Sequence, residues 1–273
     1  MKKSQKLALI YDFDKTLCPK DMQEYSFIPN VGTTPDEFWS AANKLTKQNK
    51  MDPVLAYMWL MVKRATNAEL PIHRRDFVVL GKDLELFLGV ENWFSTINEY
   101  GKAAGLEIEH YIVSSGLKEI IEGSVIFSEF KEVFACEFYY DANDVAKWPK
   151  NAVNYTTKTQ YLFRINKGVL DISEHDELNS YMPEDERPVP FSNMIYIGDG
   201  FTDVPCMKIV KAFGGISIAV YQGSTPNDKV SSLLSHERVD YVLPADYTQN
   251  SNLNTVVKEI IYKKAKQYAV NIK

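Results

Sequence analysis

Short apolar runs alternate with amphipathic stretches along most of this 273-residue chain. The runs occur in "KLALIYDFD", "EIEHYIVSSG", "MIYIGDG", "ISIAVYQG" and "VDYVLPAD". Each run is too short for a buried helix, and most are rich in β-branched and aromatic residues, which indicates strands. Strands that alternate with helices predict an α/β fold, in which a parallel sheet has helices on both faces.

The alternation stops between about residues 35 and 105, where the sequence predicts helices without strands. Thr34 and Asp52, each followed by proline, are predicted to begin two of these helices. We therefore predict an α/β core of residues 1–20 and 106–273 and an inserted helical domain of residues 21–105. The core of the inserted domain is expected to contain its large aromatic residues, Trp39, Tyr57, Trp59 and Trp93.

Three of the predicted strands end in polar side chains. These are Asp12 and Asp14 in the first, Ser114 and Ser115 in the second, and Asp199 and Asp203 after "MIYIG". A buried carboxylate is costly unless it is paired, hydrogen-bonded or bound to a metal. Ligands of parallel sheets bind at the carboxyl ends of the strands. We therefore expect these side chains to meet in one site.

The composition gives no reason to expect a nucleic-acid or membrane partner. The net charge of −5 does not favour binding to polyanions or anionic lipids. No stretch approaches the roughly 20 apolar residues that span a bilayer, and "LALIY" is too short for a signal-peptide core. Cys18, Cys136 and Cys206 lack the spacing of a metal site. A cytoplasmic protein is expected, and the sequence carries no prediction of its oligomeric state.

Four short motifs resemble those of the haloacid dehalogenase-like phosphatases. They are "DFDKT" from residue 12, "IVSSG" with Ser114, Lys158 in a predicted helix, and "GDGFTD" with Asp199. Their order and context match over nearly the whole chain. The resemblance implies a Rossmann-like core, and the helical block falls where the phosphoserine-phosphatase-like branch carries a small cap domain. It implies a Mg²⁺-dependent phosphatase that acts on a small phosphorylated metabolite.

The chemistry of the acidic residues independently supports metal-assisted hydrolysis of a phosphate ester. A phosphate monoester is a dianion, so an attacking carboxylate needs a cation nearby, and Asp12 and Asp199 offer the hard oxygen ligands that Mg²⁺ prefers. The resemblance implies that Asp12 attacks phosphorus to form an aspartyl-phosphate. It also implies that Asp14 protonates the leaving oxygen and then activates water. The Asp14 carbonyl and Asp203 would complete the metal site, Asp203 directly or through water.

The resemblance also implies a set of phosphate-binding groups. Ser114 and the backbone N–H groups of Phe13, Asp14 and Ser115 would hold the phosphoryl oxygens. Ser114 is preferred to Ser115 as the side-chain ligand because it directly follows the apolar "YIV". Lys158 would neutralise the remaining negative charge.

Four residues of the predicted cap are candidates for recognising the rest of the substrate. Asp21 and Glu24 follow the nucleophile by 9 and 12 residues. In phosphoserine phosphatases an acidic residue near this position meets the substrate amino group, so an amine-bearing substrate is one expectation; the alternative is a solvated turn. Arg74 and Arg75 could bind a carboxylate or a second phosphate, or form a solvated face.

Single residues distinguish this chain from proteins with other functions on the same scaffold. The dehalogenase and phosphonatase branches lack the second aspartate, which is present here as Asp14. Transporting ATPases need membrane helices. A phosphomutase uses the same four motifs and stays open as an alternative. A non-catalytic phosphate-binding module is disfavoured because the predicted nucleophile, acid and lysine are all present.

Overall fold

Seven strands form a single sheet in the computed structural model, which describes residues 5–70 and 72–270. Residues 1–4 and 271–273 of the predicted core and residue 71 of the predicted inserted domain lie outside the described residues. The strands are β1 (Gln5–Tyr11), β2 (Leu106–Leu117), β3 (Glu132–Tyr140), β4 (Ala146–Asn151), β5 (Met194–Gly198), β6 (Ile216–Tyr221) and β7 (Tyr241–Pro244). Their order is β4-β3-β2-β1-β5-β6-β7. All neighbouring pairs are parallel except the β3–β4 hairpin, which confirms the predicted α/β fold.

Eleven α-helices connect or follow these strands in the described residues. They are α1 (Phe27–Asn30), α2 (Pro35–Asn49), α3 (Pro53–Asn67), α4 (Arg74–Leu80), α5 (Val90–Ala103), α6 (Lys118–Glu122), α7 (Lys158–Lys167), α8 (Asp176–Asn179), α9 (Val204–Ala212), α10 (Asp228–Ser235) and α11 (Asn252–Val270). Single 3₁₀ turns cover Met22–Glu24, Gly81–Asp83, Phe127–Glu129 and Phe191–Asn193. Within the part of the chain that is described, no helix has the length and apolar character needed to cross a membrane.

The order in which successive strands join the sheet reverses at β1. The chain passes from β1 through β2 to β3 on one side, and later from β5 through β6 to β7 on the other. Because crossovers between parallel strands are right-handed, this reversal places the two groups of connecting helices on opposite faces. The carboxyl end of β1, between β2 and β5, is the point where α/β sheets bind ligands.

Strand β1 is the centre of the sheet, and its last five residues are buried. It pairs with both β2 and β5, so the chain that leaves β1 is held on two sides. The N–H of Asp12 continues this pairing by donating to the Ile197 carbonyl at 3.0 Å. The position of Asp12 is therefore set by the sheet itself.

Strand β2 is longer than the sequence predicted. The apolar pattern indicated that the strand stops at Ser114, but β2 continues to Leu117. Its pairing with β3 breaks between Val113 and Leu117 and resumes where Leu117 meets Cys136. The two serines therefore lie in an irregular segment inside the strand, which tertiary pairing extends beyond the local pattern.

Helices α2 and α3 begin where the sequence predicted. The Thr34 hydroxyl accepts from the Glu37 N–H at 3.3 Å, and the Glu37 carboxylate accepts from the Thr34 N–H at 3.1 Å. The Asp52 carboxylate accepts from the Val54 N–H at 2.8 Å. These are N-cap interactions, and each is followed by the proline expected in the first turn.

Helix α5 packs against the sheet although its sequence lies in the predicted cap range. The Trp93 indole donates to the Tyr11 hydroxyl at 2.8 Å, and the Phe94 ring lies edge-on to His110 at 5.1 Å. Both partners are sheet residues, so α5 serves as the crossover helix between β1 and β2. We therefore propose that the inserted domain ends before Val90 rather than at residue 105.

Candidate active site

A cavity of about 240 Å³ lies at the carboxyl end of β1. Its floor comes from the sheet and its walls from the segment between β1 and β2, including helices α2 and α3. The lining residues from the core are Asp12, Asp14, Lys15, Ser114, Ser115, Tyr155, Asp199 and Thr202. Those from the predicted cap are Asp21, Gln23, Trp39, Ala42, Asn43, Thr46, Pro53, Val54 and Tyr57.

A tight turn after β1 presents Asp12 and Asp14 to this cavity. The Phe13 carbonyl accepts from the Leu17 N–H at 2.8 Å and closes the turn. Lys15 adopts a left-handed conformation, with φ of 57°. The Phe13 side chain is buried in the core, so the side chains on either side of it are directed away from the core.

Lys158 joins two of the predicted site carboxylates from beneath the cavity. Its Nζ lies 3.0 Å from Asp12 Oδ2 and 2.8 Å from Asp203 Oδ1, and the lysine side chain is fully buried. Burial alone would lower the pKa of Lys158, but Asp12 and Asp203 reverse this effect and hold it above its ordinary value. The Tyr196 hydroxyl also donates to Asp203 Oδ1, at 2.7 Å. Lys158 is therefore a fixed cation within the site.

The residues present fit a hard divalent cation. One carboxylate oxygen from each of Asp12, Asp199 and Asp203 lies within 4.8 Å of the others. Asp203 Oδ2 is buried and has no hydrogen-bond partner among the described residues. Burial and then the charges of Asp203 and Asp12 raise the pKa of Asp199 to about 8. Three crowded carboxylates with one unpartnered buried oxygen are the donor set that Mg²⁺ prefers.

Asp14 has an environment unlike that of Asp12. Its Oδ1 accepts from the Met22 N–H at 2.8 Å and lies 3.8 Å from the Cys18 thiol. Burial, followed by the negative charges of Asp21 and Asp12, raises the pKa of Asp14 well above its usual range. These surroundings favour the protonated form of Asp14 more than water would.

The predicted phosphate-binding groups lie at the same cavity. The Ser114 hydroxyl accepts from the Gly116 N–H at 3.0 Å, which orients it within the irregular part of β2. Ser115 Oγ is buried without a hydrogen-bond partner among the described residues. The Phe13 N–H donates to Asp12 Oδ1 at 2.8 Å. The structure thus brings both serines and the β1 turn together.

Of the four predicted recognition residues, one lines the cavity and three do not. Asp21 lines the cavity, where its Oδ2 pairs with Lys15 Nζ at 2.7 Å. Glu24 does not line the cavity, and its Oε1 accepts from the indole N–H of the cavity-lining Trp39 at 2.8 Å. Arg74 pairs with Glu122, and Arg75 is exposed beside Asp76. Neither arginine is brought to the cavity.

Several cavity residues were missed or misplaced by sequence reasoning. Trp39 and Tyr57 were expected in the core of the cap, but both line the cavity, with ring centroids 5.9 Å apart. The Tyr57 hydroxyl donates to the Ser115 carbonyl at 2.6 Å and ties α3 to the core. Gln23 and Thr46 carried no sequence signal. Aromatic residues on an amphipathic helix look alike in sequence whether they face a core or a ligand.

Comparison with known proteins agrees with this geometry. Residues 9–208 match the family model of the haloacid dehalogenase-like hydrolases. An uncharacterized protein of Borreliella burgdorferi is 32% identical in an alignment of 285 positions that covers 93% of this chain and 96% of that protein.

Solved structures with low sequence identity share the fold. A HAD family hydrolase from Salmonella enterica serovar Typhi has a TM-score of 0.58 and 16% identity, covering 95% of this chain and 73% of its own. A substrate-bound phosphoserine phosphatase has a TM-score of 0.53 and 15% identity, covering 93% of this chain and 98% of its own.

The matched range contains six acidic, serine and lysine residues that line the cavity or lie buried beneath it. These are Asp12, Asp14, Ser114, Lys158, Asp199 and Asp203. The chain belongs to the haloacid dehalogenase-like hydrolase family.

Proposed function

We propose that this protein is a Mg²⁺-dependent phosphatase that hydrolyses a small phosphate monoester through an aspartyl-phosphate on Asp12. One observation carries the proposal: Asp12 and Asp14 line the same cavity, Asp12 paired with the buried ammonium of Lys158 and Asp14 held by the Met22 N–H. Paired carboxylates of this kind supply a nucleophile and an acid in one site.

Asp12 is suited to be the nucleophile. Burial raises its pKa to about 6, and the Lys158 charge opposes a larger rise. Asp12 is therefore mostly ionised at neutral pH. Its Oδ2 is held by Lys158 and its Oδ1 by the Phe13 N–H, so the carboxylate has one orientation toward the cavity. A fixed, desolvated carboxylate can attack phosphorus without first losing a large hydration shell.

Asp14 is suited to be the general acid. Burial and the charges of Asp21 and Asp12 raise its pKa, which favours the protonated form that can donate to the leaving oxygen. Once that proton is given up, the same carboxylate can take one from the water that hydrolyses the aspartyl-phosphate. The Met22 N–H holds Asp14 in place through both steps.

The phosphoryl oxygens would be held by polar groups around the β1 turn. Ser114, Ser115 and Lys158 are the candidates, and the unpartnered Ser115 hydroxyl is free to donate. When bound at Asp12, Asp199 and Asp203, Mg²⁺ would neutralise charge on the phosphoryl group. Phosphoryl transfer needs little beyond such positioning and charge stabilisation.

The second carboxylate supports phosphate ester hydrolysis over dehalogenation within this family. Displacing a halide needs no proton donor, whereas an alkoxide leaving group does. The size of the cavity supports a small substrate, because helices α2 and α3 form part of its walls and its volume is about 240 Å³.

The test is phosphate release by the purified full-length chain. With Mg²⁺, p-nitrophenyl phosphate and a panel of metabolite phosphates should yield inorganic phosphate. Asp12→Asn should reduce turnover more than roughly 10³-fold. Asp36→Asn, on the exposed face of α2, is the matched control and should behave as wild type. Equal activity in a folded Asp12→Asn protein would refute the mechanism.

A further inference from the structure

Besides Ser115, two polar side chains that line the cavity lack a hydrogen-bond partner among the described residues. Gln23 is 2% exposed, and its Oε1 is buried with no partner among the described residues. Thr46 Oγ1 is buried in the same way. Buried polar atoms are rarely left unpaired, because they have given up water without replacing it. Two such atoms at one cavity indicate a ligand that hydrogen-bonds to both.

The position of Gln23 places it on the leaving-group side of the site. It directly follows Met22, whose N–H holds Asp14. Asp14 is the proposed acid for the leaving oxygen, so we take the adjoining, cavity-lining Gln23 side chain to face the departing group. An amide both donates and accepts hydrogen bonds, which matches a hydroxyl group.

Thr46 lies on helix α2, which also contributes an aromatic side chain to the cavity wall. Trp39 precedes it by seven residues on α2, about two helical turns, so the two side chains share a face. The Trp39 ring is held by Glu24 and lies edge-on to Tyr57 at 71°. Rigid aromatic surface beside a few polar groups binds the carbon skeleton of a ligand and orients its polar substituents.

The charges around the cavity disfavour an anionic leaving group. Among the described lining residues Lys15 is the cation, and it is already paired with Asp21 at 2.7 Å. A carboxylate or second phosphate on the substrate would face Asp14 and Asp21 without an available cation. An amine would have to compete with Lys15 for Asp21.

We propose that the leaving group is a small, uncharged polyhydroxy alcohol, recognised by Gln23 and Thr46 against the Trp39 and Tyr57 rings. This inference rests on the proposed phosphatase function. The cavity of about 240 Å³ is slightly below the range of roughly 300–1,000 Å³ typical of drug-sized ligand sites, which limits the alcohol to a few carbons.

The experiment compares three monoesters built on a three-carbon chain. Glycerol 3-phosphate carries two further hydroxyls, n-propyl phosphate carries none, and phosphoserine carries a carboxylate and an ammonium group. We expect kcat/KM for glycerol 3-phosphate to exceed that of each of the other two by about tenfold or more. Equal values for the glycerol and propyl esters, or a preference for phosphoserine, would overturn the inference.

Two near-isosteric variants test the named residues. Gln23→Leu and Thr46→Val should each reduce the ratio of kcat/KM between the glycerol and propyl esters, mainly by lowering the value for the glycerol ester. Gln48→Leu on the exposed part of α2 and Thr66→Val on α3, where the hydroxyl bonds to the Val62 carbonyl, are matched controls that should keep the wild-type ratio. If both folded cavity variants keep the wild-type ratio of kcat/KM, Gln23 and Thr46 do not recognise the hydroxyl groups of the substrate.

Hydrolysis of p-nitrophenyl phosphate separates failure of this inference from failure of the proposed function. If Asp12-dependent hydrolysis is present and the polyol preference is absent, the leaving-group proposal is wrong and the phosphatase proposal stands. If wild type releases no phosphate from any of the esters, both proposals fail together. Thermal melting of each variant identifies a folding defect, and either cavity variant can decide the question if the other does not fold.

Discussion

The ammonium of Lys158 lies 2.8 Å from Asp203 Oδ1, and both side chains are fully buried. A buried pair of this kind is costly to break, because removing one partner leaves the other charge without compensation. Lys158→Met conserves much of the side-chain volume and removes the charge. We expect it to lower the free energy of unfolding by about 3–5 kcal/mol and to abolish turnover. Urea denaturation monitored by circular dichroism would measure the change.

Lys167→Met on the same helix is the matched control for this prediction. The Lys167 Nζ donates to the Leu178 and Ser180 carbonyls and leaves no buried carboxylate behind when it is removed. We expect a loss of about 1 kcal/mol or less. Equal losses in the two variants would mean that the buried pair has no special role in stability.

Asp14→Asn should have an effect that depends on the leaving group. General acid catalysis contributes roughly 10²- to 10⁴-fold, and this factor shrinks when the leaving oxygen needs little protonation. We therefore expect a large loss of kcat with alkyl phosphates and a smaller loss with p-nitrophenyl phosphate. Single-turnover rates would give the comparison at the chemical step. Equal losses for both esters would favour a purely structural role for Asp14.

Gly198→Ala should disturb the metal site through Asp203. A Cβ at Gly198 would lie only 2.5 Å from Asp203 Oδ2, so the carboxylate would have to move. We expect Mg²⁺ affinity to fall by about 10- to 100-fold, read from the Mg²⁺ concentration at half-maximal activity. Gly200→Ala is the matched control, because a Cβ there meets no atom within 4 Å. Similar Mg²⁺ requirements in both variants would argue against this role of Asp203.

Mg²⁺ should stabilise the folded protein as well as activate it. A ligand present at 100 times its dissociation constant stabilises the native state by about 2.7 kcal/mol. We expect chelation to abolish activity and lower the melting temperature, and Mg²⁺ to restore both. In Asp199→Asn the Mg²⁺-dependent rise in melting temperature should be lost, while Asp36→Asn should retain it. Full activity after rigorous metal removal would contradict the assignment.

His110 should make the protein acid-sensitive away from the active site. Burial lowers the pKa of His110 from 6.5 to about 3, and its Nδ1 and Nε2 contact Tyr11 and Asn98. Between pH 6.5 and pH 3, His110 therefore binds a proton in the unfolded chain but stays neutral in the folded chain. Stability supplied by the neutral imidazole is complete above pH 6.5 and is lost as the pH falls toward 3, by about 2 kcal/mol at pH 5.

The pH dependence of urea denaturation tests this prediction. His110→Gln should flatten the slope of stability between pH 7 and pH 5, although its stability at pH 7 will be lower because buried contacts are lost. His175→Gln removes an exposed histidine and should keep the wild-type slope. The same slope in both variants would show that His110 does not control acid sensitivity.

Much of the fold could be predicted because its signals are local. The apolar run before Asp12, the caps at Thr34 and Asp52, and the helix that begins at Lys158 each depend on residues close together in sequence. Strand and helix periodicity, helix capping and the polar ends of strands are properties of short segments. The meeting of Asp12, Ser114 and Asp199 followed from these signals, because parallel strands bring their carboxyl ends to one edge.

The sequence alone therefore determined the alternation of strands and helices and the acidic and serine residues that share a site, and the family resemblance added Lys158. Only the tertiary structure decided that α5 packs on the sheet, that Glu24 holds Trp39, and that Arg74 is paired with Glu122 away from the cavity. It also decided that Gln23 is buried without a partner. These features depend on contacts between residues far apart in the chain, and local pattern does not show whether a polar side chain has found its partner in the protein or is left to bind a ligand.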